Sequence, residues 1–396
     1  MNILFITNVF PNPIEPTKGI FNLHLARGLA QRHQVRVIAP ISWRDEARML
    51  WRGDVSLGRD CQVVCDCVEV HHPRFLYPPG VLREHYGWFF WQSIQGTVRR
   101  LISTKLPDVV IGYWVHPDGE AAVRIARLAG VPSAVIVGGS DVLLITRRHG
   151  RRRCVLDVLR ATDAVVTVNQ HLKETIVHLG VEPERIHVWH QGIDETVFGP
   201  ADRLSAKTRL GIPANHHALV WVGRMVPVKG LDVLLGSCAI LQNQVIDFHL
   251  YLVGDGPLKQ RLVTETRERG LAPRVTFLGP KLHDELPDWY RAADLTVLPS
   301  RSEGLPNVLR ESLACGTPFV ASNVGGISEI GDDSCRILVP PEDPAALAQA
   351  IQQGLSRWGS AGRPEIAPQF LTWSDSAESL LRILRTYSSA SPVTVS

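Results

Sequence analysis

Short apolar runs recur along the whole chain, separated by stretches in which apolar residues return every third or fourth position. The first run, residues 2–10 (NILFITNVF), stops at Pro11 and Pro13 and is continuous rather than alternating, which predicts a strand buried on both faces. A glycine-bearing loop, Pro11 to Gly19, leads to residues 20–32, where Leu23, Ala26 and Leu29-Ala30 fall at helical spacing, and residues 35–40 read as the next strand. Strand, loop, helix, strand is how an open parallel sheet begins.

The pattern returns at residues 108–113, 131–137, 164–168 and 187–190, with a helix over 120–129. After a polar stretch, 195–215, containing Gly199-Pro200, it starts again: strands over 218–222, 249–253, 275–279, 295–299, 319–321 and 336–339, helices over 231–241, 284–292 and 374–387. The chain therefore divides near residue 198 into two α/β halves built alike, 1–197 and 198–372, then a last helix, 373–388, and a frayed Ser-rich tail, 389–396. His116, Asp141, Asn169 and Asp194 each follow a strand end, where parallel sheets hold ligands. Residues 61–101 are harder to read. Trp88-Phe89-Phe90-Trp91 predicts a helix packed on the sheet, because four consecutive aromatics make no single face; the alternative is insertion at a bilayer interface, with Arg83, Arg99 and Arg100 at the head groups.

With 396 residues, 45% hydrophobic and 20% charged, the chain is an ordinary globular protein large enough for two or three cores. The charge is uneven: residues 1–190 hold 23 Lys and Arg against 17 Asp and Glu, whereas the remainder is net acidic. Arg147, Arg148, Arg151, Arg152 and Arg153 make up much of the excess, as a solvated face or a site for phosphates or an anionic membrane. No nucleic acid partner is expected. The opening MNILFITNVF has no basic n-region, the cysteines number seven, and no apolar run approaches the ~20 residues of a membrane span. A cytoplasmic protein is expected, with peripheral contact on the inner face of the cell membrane left open. Cys61, Cys65 and Cys67 beside His71 and His72 match none of the usual zinc spacings, so no metal site is expected.

The densest chemistry lies in Leu298–Pro318, LPSRSEGLPNVLRESLACGTP. Gly304-Leu305-Pro306-Asn307 ends the preceding strand, and Pro306 or Asn307 can open a helix, with Glu303 just before it and Glu311 on its second turn. The unsatisfied N–H groups there attract a phosphate or sugar hydroxyl. Arg224 and Lys229, five residues apart in the loop after strand 218–222, suit a diphosphate. Gly254-Asp255-Gly256 also follows a strand, but the third position of a dinucleotide fingerprint falls on Lys259, and no Walker loop occurs. Glu303 and Glu311 stand ~12 Å apart along a helix, beyond the ~5 to 9.5 Å of a glycosidase pair. One carboxylate for each of two parts of a ligand fits better.

The run SRSEGLPNVLRESLACGTPFVAS resembles the E-x7-E signature of the retaining glycosyltransferase family 4. Gly223-Arg224, Lys229-Gly230, Val253-Gly254-Asp255-Gly256-Pro257, Gln191-Gly192-Ile193-Asp194 and Lys18-Gly19 extend the resemblance over nearly the whole chain. It implies a GT-B fold, two Rossmann-like doubly wound parallel-sheet domains facing across a cleft, the last helix crossing back to the first. It also implies that Glu303 and the segment Gly304, Leu305, Pro306, Asn307 and Val308 face the donor sugar, with Gly254 bordering the donor. Glu311 would take the ribose, Arg224 and Lys229 the diphosphate, Gly19 the phosphate or acceptor, and His116, in His-Pro-Asp-Gly, would lie near the reacting carbon. No metal or other cofactor is implied. Trp114–Gly119 and Gly139–Val142 resemble the bacterial surface-polysaccharide, teichuronic acid branch.

The function so implied is transfer of a hexose from a nucleotide diphosphate sugar to a saccharide or lipid-linked acceptor. A sugar-nucleotide epimerase on the same architecture and a non-catalytic saccharide-binding protein are the alternatives.

Overall fold

A computed structural model describes residues 1–51, 60–65, 67–147, 149–359, 362–363 and 370–388. Arg148, the side chains of Cys61 and Arg147, and the tail 389–396 lie outside the described residues. Contacts gather the chain into two units, Met1–Gly192 together with the chain from Leu371, and Ile193–Phe370.

The first unit carries β1 (Asn2–Ile6), β2 (Gln34–Ile38), β3 (Ile41–Ser42), β4 (Asp60–Cys65), β5 (Val68–Phe75), β6 (Val109–Tyr113), β7 (Ser133–Val137), β8 (Ala164–Thr167) and β9 (Ile186–Val188). They lie in the order β3-β5-β2-β1-β6-β7-β8-β9, all parallel, with β4 antiparallel to β5. Ile3 to Ile6 are fully buried because helices cover both faces, which is why β1 reads as a continuous apolar run. It ends at Ile6, not at Phe10. Thr7 N–H still reaches Ile38 O at 3.1 Å, but Asn8 N–H turns to the Asp118 carboxylate at 2.5 Å and Val9 O accepts from Asn22 Nδ2 at 2.7 Å.

The aromatic run falls in the helix Tyr86–Thr104. Successive residues turn by ~100°, so Phe90 (0% exposed) and Trp91 (5%) enter the core while Trp88 (51%) faces outward. Only part of that run is therefore placed to meet a bilayer. The helix His149–Ala161 carries Arg152 and Arg153 on exposed positions. The last helix, Trp373–Ser388, packs on Ile20–Ala30, where Gly28 allows the approach: a Cβ there would stand 2.7 Å from Trp373 O. Among the described residues no helix is long and apolar enough to cross a membrane.

The second unit contains β10 (Ala218–Val222), β11 (His249–Val253), β12 (Val275–Gly279), β13 (Leu295–Leu298), β14 (Phe319–Ser322) and β15 (Arg336–Val339), ordered β12-β11-β10-β13-β14-β15 and parallel throughout. Leu219, Trp221, Leu234, Leu250, Leu298 and Phe319 anchor its core. The chain winds outward from β10 in one direction and from β13 in the other. The loops leaving this adjacent pair therefore diverge and leave a crevice between them.

Candidate active site

The crevice at β10 and β13 brings together two loops far apart in sequence. After β10, a turn over Pro227–Lys229 is closed by Gly230 in the left-handed region (φ +64°). A Cβ on Gly230 would stand 1.9 Å from Pro299 O, so the two loops touch backbone to backbone. Arg301 N–H donates to Val228 O at 2.8 Å, holding them in that register. Lys229 Nζ then donates to Glu303 Oε1 at 2.7 Å, and Ser300 Oγ donates to the same oxygen at 2.6 Å. Among the described residues Glu303 Oε2 accepts nothing. The Lys229 and Glu303 side chains are 23% and 10% exposed, so the pair is shielded yet reachable.

The helix Asn307–Ala314 starts at once, with Pro306 at its N-cap and no side chain capping that end, so its first N–H groups remain for a ligand. Gly304, Leu305 and Pro306 form the lip before it. Gly326 N–H donates to Gly304 O at 2.9 Å, and Gly325 (φ +58°) lies so close behind that a Cβ would stand 1.8 Å from Glu303 O. One turn on from Asn307 and Val308, the Glu311 carboxylate accepts from Tyr290 Oη at 2.8 Å. Loss of water pushes Glu311 up to about 7, against the opposing pull of the Tyr290 hydrogen bond and the Arg310 charge. Burial holds the Arg310 guanidinium down at about 10.

Arg224 is exposed in the loop after β10 and pairs with no described side chain. Gly254 (φ +130°) ends β11 at the neighbouring position, where a Cβ would meet Gly223 O at 1.9 Å. All the donor-side candidates from Arg224 to Glu311 thus surround the carboxyl ends of the central strands of one sheet.

Two candidates belong to the first unit, at its own switch point between β1 and β6. Gly19 (φ +63°) caps the helix Ile20–Ala30, with a Cβ excluded 2.2 Å from Val9 O. His116, in the turn after β6, is 1% exposed, and its Nε2 lies 3.5 Å from Glu120 Oε2. Burial, with Arg151 assisting, lowers His116 to about 4, so its imidazole is neutral at physiological pH.

Family models match both parts of the chain. Residues 19–197 match the model described as Glycosyltransferase Family 4 and residues 216–357 that described as Glycosyl transferases group 1. A relative named D-inositol 3-phosphate glycosyltransferase 1, from Catenulispora acidiphila, is 34% identical over 70% of this chain and 72% of its own length. The chain belongs to the glycosyltransferase group 1 and family 4 proteins. Further relatives bearing the D-inositol 3-phosphate glycosyltransferase name are matched over 46% to 63% of their length. Sucrose-phosphate synthase from Thermosynechococcus elongatus superimposes with a TM-score of 0.81 at 20% identity, covering 99% of this chain and 100% of that one. Anabaena HepE in complex with UDP-glucose superimposes at 0.68 and 20% identity, covering 98% of each chain. The two parallel-sheet α/β units of this glycosyltransferase are therefore those of the GT-B fold.

Some strand-end residues turn out to be structural. The Asp141 carboxylate turns back onto N–H groups of Val115 (3.2 Å) and Gly139 (2.8 Å), and Asn169 caps the helix Gln170–His178 through Leu172 N–H at 2.7 Å. In the β4–β5 hairpin, His72 Nδ1 bonds Ala39 O at 2.7 Å, His71 Nε2 bonds Glu69 at 2.8 Å, and Cys67 is exposed. Both histidines are thus spent on local partners. Conversely, Tyr290, Ser300 and Arg301 shape the candidate site without having stood out in the sequence. Ser300 and Arg301 lie inside the stretch that did, whereas Tyr290 carried no pattern of its own.

Proposed function

We propose that this glycosyltransferase moves a hexose from a nucleotide diphosphate sugar to an acceptor hydroxyl, retaining the anomeric configuration and needing no metal ion. The observation that carries this reading is the Lys229–Glu303 pair at the β10/β13 crevice. It sets a cation for phosphate beside a carboxylate for sugar hydroxyls, next to a helix start that favours anions. Lys229 and Arg224 neutralise charge building on the departing diphosphate, the role a divalent ion would otherwise fill. Glu303 Oε2 accepts from hydroxyls of the sugar, the segment Gly304–Val308 lies along it, and Glu311 accepts from the ribose.

During transfer the bond between the anomeric carbon and the diphosphate oxygen breaks while the acceptor oxygen bonds the same face of that carbon. The acceptor proton passes to the leaving phosphate oxygen. A neutral His116 lowered to about 4 is too weak a base to hold that proton at neutral pH, which favours phosphate as its destination.

The relatives' name favours an acceptor that is a phosphate-bearing polyol or sugar, beside the saccharide and lipid-linked classes expected from the sequence. The Trp114–Gly119 segment keeps cell-surface polysaccharide assembly of the teichuronic acid type as a setting, and the exposed Trp88, Arg152 and Arg153 a peripheral membrane contact. Incubation with a panel of nucleotide sugars, each with and without inositol 3-phosphate, oligosaccharide or lipid-linked acceptors, tests the reading by following free nucleoside diphosphate. Acceptor-dependent release supports it. Donor interconversion without acceptor would indicate an epimerase, and binding without release a saccharide-binding protein.

A further inference from the structure

Arg301 makes no hydrogen bond to the Lys229 or Glu303 side chain, yet among the described residues of the two loops its guanidinium is the most fully engaged. Nη1 donates to Pro227 O at 2.6 Å and to Asp232 Oδ1 at 3.0 Å, Nη2 to Asp232 Oδ2 at 2.7 Å, and Nε to Glu342 Oε1 at 2.9 Å. Its own N–H reaches Val228 O at 2.8 Å. Pro227 and Val228 precede Lys229; Asp232, on the first turn of the helix Leu231–Asn243, follows it. One guanidinium on the loop after β13 therefore grips the chain on both sides of Lys229, while Glu303 stands two residues further along that same loop. A lysine could not replace it, since a single ammonium cannot present the planar fork that Asp232 accepts.

We propose that Arg301 is a positioning residue for the donor site, fixing Lys229 against Glu303 by clamping the β10 loop to the β13 loop through Pro227, Val228 and Asp232. The proposal rests on the donor-binding reading of Lys229 given above. Without the clamp, the turn over Pro227–Lys229 is held to the β13 loop by the Gly230–Pro299 approach, the Arg301 backbone bond and the Lys229–Glu303 bond itself, and the Nζ position relaxes. A displacement of about 1 Å at such a group costs on the order of 100-fold. Asp232 is held below the usual carboxylate range by the Arg301 hydrogen bonds, as a pair made in the folded state requires.

The test is a double-mutant cycle on nucleotide affinity, read by calorimetry with UDP, GDP and ADP on the full chain. Arg301→Met is expected to weaken the nucleotide that wild type prefers by about 10- to 100-fold. Glu342→Gln, altering the most exposed partner, should stay within about threefold of wild type. In a Lys229→Met background, Arg301→Met should add less than about threefold, because the group it positions is gone. Arg301→Lys should fail to restore affinity. Equal, additive losses in both backgrounds, or a folded Arg301→Met that binds as wild type, would overturn the clamp while leaving the role of Lys229 intact. If Arg301→Met does not fold, Asp232→Asn carries the same comparison. Wild type that binds none of the three nucleotides, or Lys229→Met that binds undiminished, would remove the donor-site reading and the clamp with it.

Discussion

Lys229 Nζ and Glu303 Oε1 lie 2.7 Å apart although 74 residues separate them, because β10 and β13 are parallel neighbours from which the chain departs in opposite directions. Lys229→Met or Glu303→Ala should cut turnover by about 100-fold or more, the scale for losing one group that stabilises developing charge. The stability cost should stay near ~1 to 3 kcal/mol, that of a hydrogen bond to a charged group. Steady-state kinetics beside thermal unfolding separate the two effects.

Glu311 gives a pH signature. Its folded-state value, about 7, lies above the ordinary carboxylate range, so the folded protein holds this proton more tightly than the unfolded chain does. The associated stability is complete below the unfolded value and is lost as pH rises toward 7. Glu311→Gln, which keeps an acceptor for Tyr290 but never ionises, should therefore gain melting temperature relative to wild type at pH 8 and lose that advantage near pH 5. Its nucleotide affinity should fall, since an amide is a weaker acceptor for ribose hydroxyls than a carboxylate.

Tyr290 opposes the upward push that burial gives Glu311. Its hydroxyl stabilises the charged carboxylate, so Tyr290→Phe should move the midpoint of the pH dependence of nucleotide affinity to higher pH. A profile that keeps its wild-type midpoint would separate the tyrosine from Glu311.

Gly325 and Gly211 both have left-handed backbones, at φ +58° and +68°. A Cβ on Gly325 would lie 1.8 Å from Glu303 O, whereas one on Gly211 meets no atom within 4 Å. Gly211→Ala should cost only the ~1 to 2 kcal/mol of left-handed strain. Gly325→Ala must also displace the Glu303 loop and should lose activity as well as melting temperature.

Lys229 and Arg224 also make a prediction about metals. If they supply the positive charge at the diphosphate, EDTA should leave initial rates within about twofold of untreated enzyme, an effect small on the scale of Lewis-acid catalysis. Abolition by EDTA and recovery with magnesium or manganese would show that they do not suffice.

The parallel strands were legible because burial on both faces writes itself as an unbroken apolar run, as at residues 3–6 and Ala218–Val222. The hairpin of β4 and β5 was not, since its Gln62, Val63 and Val64 are exposed and its residues mix cysteine, histidine and acid. The helix Lys259–Glu268 also escaped notice, because it buries only Leu262 and Thr266 and shows little apolar periodicity. At the candidate site, Arg224, Lys229 and Glu303 announce themselves by charge beside glycine, and Glu311 by its spacing from Glu303. Sequence could not disclose that Lys229 meets Glu303, which depends on strand order, or that Arg301 grips the loop around Lys229. Nor could it separate the site from Asp141 and Asn169, which follow strands in the same way and are spent on backbone N–H groups.

The most direct measurement is acceptor-dependent release of nucleoside diphosphate by wild type, Lys229→Met and Glu303→Ala, run side by side on the nucleotide sugar that wild type uses best. Release should rise with acceptor in wild type and fall to about 1% or less in either folded variant. Near-normal release by either variant, or no release by wild type from any nucleotide sugar, would contradict it.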